Sequence, residues 1–141
     1  EDKYPDVLQN LEFAIVQFYR ERYPELTDYG VMRVLEALID RYSKEQVHKP
    51  PRNFNLSSEE EELYQLLSDI SEWRLGRASL TVNGLEDFPK EALGIGEKTS
   101  IPLEDLILCL KRLLKSVHKW NKSGGRRGYL TFISNFMEGG F

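Results

Sequence analysis

The chain has 141 residues, 40% hydrophobic and 30% charged, with 19 Lys and Arg against 23 Asp and Glu and a single cysteine. That is enough apolar material for one self-sufficient core, and it excludes a disordered chain, an internal disulfide and a structural zinc site built from Cys and His alone. The formal net charge of −4 argues at first against nucleic acid or a membrane surface as partner.

The start, Glu1-Asp2-Lys3-Tyr4-Pro5, has no signal-peptide pattern and no run approaches about 18 apolar residues, so a cytoplasmic protein without membrane spans is expected. A first helix is expected from Asp6 to Tyr23, with Asp6 as its cap after Pro5. Val7, Leu8, Leu11, Ala14, Ile15, Phe18 and Tyr19 share one face, while Phe13 and Val16 project elsewhere. A helix apolar on two sides is either central in its own fold or offers an edge to another copy, so Phe13 and Val16 are candidate self-association residues.

Thr27 caps a second helix from Asp28 to about Lys44, with Val31, Val34, Leu35, Leu38, Ile39 and Tyr42 as its stripe. The connection from the first helix is short, which predicts antiparallel neighbours. His48-Lys49-Pro50-Pro51-Arg52-Asn53 reads as a linker, because paired prolines lack helix donors and hold their neighbours extended. Ser57 and Ser58 are each followed three residues later by a glutamate, so a capping box opens the third helix in either register. Leu63, Leu66, Leu67, Ile70 and Trp73 form its face, ending near Gly76.

Periodicity fades from Arg77 to Ser100, where Leu80 to Gly84 offers half of a small hairpin at best. A fourth helix follows Ser100 and runs to about Lys122, with Leu103, Leu106, Ile107, Leu110, Leu113, Leu114, Val117 and Trp120 as a continuous stripe. Gly124 and Gly125 end it, and Tyr129 to Met137 supplies a short last helix. The expected fold is therefore all-α, a single-domain bundle of about five helices with a long irregular connection between the third and fourth.

Catalytic chemistry finds little support in these residues. Cys109 and His118 lie nine residues apart on one helix and so point in opposite directions. Gly94 to Thr99 ends in Lys-Thr but lacks the glycine spacing of a phosphate-binding loop. Glu36 with Asp40, Glu62, and Asp69 with Glu72 could supply a carboxylate-dependent metal enzyme, since helical bundles hold ions that way. Asp69-Ile70-Ser71-Glu72, however, reverses the Glu-x-x-Asp element of all-helical nucleotide pyrophosphatases, and Glu59 to Glu62 serves a helix dipole equally well. No catalytic residue, metal or cofactor is assigned.

Charge position carries more. Between Leu106 and Met137 stand Lys111, Arg112, Lys115, Lys119, Lys122, Arg126 and Arg127 and no acidic residue, so this segment is +7 and the remainder −11. Lys111, Arg112, Lys115, Lys119 and Lys122 fall within about 100° on the fourth helix, opposite the leucine stripe, and Leu108 points out among them. Arg126 and Arg127 extend the ridge into a glycine-rich loop whose following amides could bind anions. Such a face can pair with the chain's own acids, bind an acidic protein or a second copy, or bind phosphate-rich nucleic acid. The expectation is a non-enzymatic protein-interaction or regulatory module, with a nucleic-acid-binding domain using the same residues as the alternative.

Overall fold

A computed structural model describes residues 4–21, 26–78 and 100–122. All regular structure among the described residues is helical: α1 (Pro5–Glu21), α2 (Asp28–Gln46), α3 (Ser58–Arg74) and α4 (Leu103–Lys122). The expected last helix from Tyr129 to Met137, the hairpin at Leu80 to Gly84 and most of the irregular connection lie outside the described residues.

Local chemistry sets the ends. Pro5 is the first residue of α1, where its missing N–H costs nothing, so Asp6 lies in the first turn rather than capping it. Thr27 caps α2 by accepting from the Gly30 N–H at 3.1 Å. At α3 the register is settled on Ser57: its hydroxyl accepts from the Glu60 N–H at 3.2 Å, and the Glu60 carboxylate accepts from the Ser57 N–H at 2.9 Å. α2 runs to Gln46, two residues beyond expectation, and stops where His48 turns left-handed at φ 55°. The Lys49 N–H then reaches back to the Lys44 carbonyl at 2.9 Å, closing the helix without a glycine.

α2 packs along α4 and α3, and α1 packs on α3 and α4. α1 and α2 therefore face each other across the bundle, contrary to the side-by-side arrangement expected from their short connection. The cause is α4: Leu106, Ile107, Leu110, Leu113, Val117 and Trp120 make a buried stripe broad enough to serve α1 and α2 together. Leu11, Ile15, Leu35, Leu38, Leu63, Leu67 and Ile70 complete the core from the other three helices. Phe13 and Val16 are buried as well, at 7% and 1% exposure, so the second apolar side of α1 is used within the chain.

One end of the bundle is polar. Arg74 of α3, only 3% exposed, meets Asp6 of α1 at 3.1 Å, and the Tyr4 hydroxyl donates to the Asp105 carboxylate at 2.8 Å. The Ile101 N–H donates to the Arg74 carbonyl at 3.0 Å, tying the entry of α4 to the exit of α3. Among the described residues no helix is long and apolar enough to cross a membrane.

Candidate interaction surfaces on α4 and beside α3

The solvent face of α4 is built by subtraction. Once the leucine stripe is committed to the core, the roughly 100° step per residue leaves Leu108, Lys111, Arg112, Lys115, His118, Lys119 and Lys122 outward, and all are exposed. Leu108 is 62% exposed, a bare branched side chain one turn before the first lysine. Ion pairs join Arg33 to Glu60, Arg74 to Asp6, and Arg77 to Glu45 and Glu72. Lys111, Lys115 and Lys122 carry their charge into solvent without an acidic partner among the described residues. From Lys111 to Lys122 the row is about 16 Å long. Arg126 and Arg127 lie outside the described residues.

The carboxylates considered for a metal have other engagements. Asp40 accepts the Arg52 N–H at 2.8 Å, Asp69 accepts from Gln65 at 2.9 Å, and Glu72 accepts the Tyr42 hydroxyl at 2.8 Å beside Arg77. Glu36 and Glu62 are exposed. Among the described residues no three His, Cys, Asp or Glu side chains gather as an ion-holding group. Cys109 is buried on the core side of α4 and His118 is exposed on the other.

Burial of the Tyr42 ring, reinforced by its bond to Glu72, raises the hydroxyl well above the ordinary tyrosine value of 10.0. A proton held more tightly in the folded chain adds stability that is intact below that value and is lost as pH rises above it. Thermal stability should therefore fall above about pH 10, by up to about 1.4 kcal/mol per pH unit for this one group. Melting curves of Tyr42→Phe across the alkaline range should show a shallower decline; an identical decline would mean that other groups govern it.

A second surface escaped the sequence reading. Residues 47–57 form an ordered strap rather than a loose linker. Arg33 of α2 donates to the carbonyls of Phe54 and Asn55 at 2.7 and 3.1 Å, and Asp40 anchors the Arg52 N–H. Asn55 takes a left-handed turn at φ 51° after its N–H bonds the Asn53 side chain, a conformation asparagine tolerates. Between strap, α2 and α3 lies an open groove of about 350 Å³ lined by Ala37, Pro51, Phe54, Leu56, Tyr64 and Gln65, with Arg52 stacked 4.3 Å over Phe54. The available signals were the aromatics Phe54 and Tyr64, which fit no helical stripe.

The groove's edge on α3 is acidic. Glu61 lines it, Glu59, Glu62 and Asp69 are exposed elsewhere on the same helix, and the helix's one basic residue, Arg74, is buried at the far end. The molecule thus presents a cationic helix face with an apolar knob and, on another side, a small groove of mixed polarity with Glu61 in its lining. No family model, curated protein or solved structure matches this chain.

Proposed function

We propose that this chain is a non-enzymatic interaction module whose working surface is the exposed face of α4, and that its partner is an acidic protein surface. The observation that supports this is the separation on one helix: five exposed Lys and Arg side chains with Leu108 among them, of which Lys111, Lys115 and Lys122 have no acidic partner among the described residues. Surface charges without partners steer encounter with an opposite charge, and an apolar side chain in their midst gives the contact a desolvated centre. An acidic protein fits better than nucleic acid, because the −11 remainder of the chain repels a long phosphate backbone but accommodates a local acidic patch. A cytoplasmic setting is part of the proposal, in keeping with a buried free thiol at Cys109.

The test is a titration of the full chain with a poly-glutamate peptide and, separately, with duplex DNA and single-stranded RNA at two salt concentrations. Wild type should bind the acidic peptide more tightly at low salt, and a Lys111→Gln, Lys115→Gln, Lys119→Gln, Lys122→Gln protein should bind it about tenfold more weakly. Equal binding by both proteins would reject the α4 surface. Tighter binding of nucleic acid, with a steep salt slope that the substitutions flatten, would replace the acidic protein by nucleic acid.

A further inference from the structure

We infer that the occupant of the α4 face is a second copy of this chain, docked head to tail with Leu108 seated in the groove between α2, α3 and the 47–57 strap. This rests on the proposal that α4 is a docking surface and names what docks. Three observations carry it. First, Leu108 is 62% exposed, and a groove of about 350 Å³, with Ala37, Phe54, Leu56 and Tyr64 as its apolar lining and Glu61 and Gln65 at its rim, has room for a leucine side chain. Second, the charges complement: the described solvent face of α3 presents Glu59, Glu61 and Asp69 without an exposed base, while α4 beyond Leu108 presents Lys111, Lys115 and Lys122 on a face that carries no acid. Third, α4 contributes no residue to the groove's lining, so one copy cannot satisfy its own groove with its own helix.

The groove is also fixed in place before any docking. Arg33 and Asp40 hold the strap's backbone, and the Arg52 guanidinium lies over the Phe54 ring. A preformed wall lowers the ordering cost of association. Because knob and groove are different patches, the contact is heterologous: each copy retains one free knob and one free groove, so assembly grows with concentration instead of stopping at a dimer unless a ring closes. Contacts dominated by exposed charge also weaken as salt screens them.

Sedimentation velocity of the full chain over a wide concentration range, at low and high salt, reads this directly. The weight-average mass should rise with concentration at low salt and fall back toward the monomer at high salt. A ridge variant (Leu108→Asp, Lys115→Glu) and a groove variant (Glu61→Lys, Gln65→Lys), all changes at exposed positions, should each remain monomeric alone. Mixed, they should form a one-to-one complex, because one keeps the groove and the other keeps the knob. A wild type that is monomeric throughout would overturn the inference, as would self-association that either variant leaves intact or a mixture that fails to pair. Poly-glutamate binding separates the two levels. If the groove variant binds the peptide like wild type while no self-association is seen, the α4 surface stands and only its occupant is wrong; if the ridge variant also binds like wild type, the surface itself is rejected.

Discussion

Asp6→Ala is expected to cost about 3 kcal/mol of stability, whereas Arg74→Met, which removes the other half of the same ion pair, is expected to cost nothing or to stabilise. The asymmetry follows from burial. The Arg74 side chain is 3% exposed and its Nη2 lies 3.1 Å from Asp6, while its Nε and Nη1 are buried without a hydrogen-bond acceptor. Deleting Asp6 leaves a buried guanidinium with no counter-charge, a situation that costs about 3–5 kcal/mol in proteins. The Asp6 side chain is 42% exposed, so solvent takes part of the load and the lower end applies. Methionine at 74 keeps an apolar stem beside Trp73, whose ring centroid is 5.7 Å from the guanidinium carbon, and ends the demand for acceptors. The Arg74 carbonyl still accepts the Ile101 N–H in either variant. Denaturant midpoints at constant slope measure both changes, and the Asp6→Ala, Arg74→Met double variant should recover most of the loss. Equal destabilisation by the two single variants would show that the pair stabilises symmetrically and that the unpaired guanidinium is not the source of the cost.

Much of the helical architecture was legible because burial leaves a periodic trace. The stripes of α2, α3 and α4 appear in the sequence at their 3.6-residue spacing, and the capping-box pattern places the start of α3 at one of two adjacent serines, of which the structure uses Ser57. Where α2 ends was not legible, since His48 adopts the left-handed conformation that composition assigns to glycine. Nor was the diagonal placement of α1 and α2. Periodicity tells which side of a helix is buried but not against which neighbour, and connection length proved a poor guide once α4 could serve both. Phe13 and Val16 show a softer limit: their direction was readable and a central helix was one of the two readings it left open, and the structure covers both within the chain.

The two surfaces differ in the same way. The α4 face could be read because every residue that builds it lies on one helix, where angle follows from number. The groove could not, because Ala37, the 51–56 segment and Tyr64 meet only through tertiary structure. Its wall is held by Arg33 and Asp40, residues on the solvent side of α2, where Asp40 was readable as a possible metal ligand beside Glu36 but not as an anchor for the strap. Backbone hydrogen bonds from charged side chains leave no periodic trace.

Leu110→Ala and Leu108→Ala should separate folding from binding on a single helix. Leu110 is fully buried on the core side of α4, and truncating such a leucine costs about 2–5 kcal/mol through lost transfer energy and the cavity left behind. For a chain of this size that lowers the melting temperature by about 10 °C. Leu108, two residues earlier and about 200° around the helix, is 62% exposed, so its truncation should change stability by no more than about 0.5 kcal/mol. Leu108→Ala should nevertheless weaken low-salt self-association severalfold, since the side chain is the only large apolar group exposed on the cationic face among the described residues. Leu110→Ala, measured well below its melting temperature, should associate like wild type. Thermal melts paired with sedimentation on the same samples give both readouts. If Leu108→Ala melts as early as Leu110→Ala, the leucine is a packing residue and the docking contact loses its apolar centre; if it leaves both properties unchanged, the contact is one of charge alone and the groove is not where α4 sits.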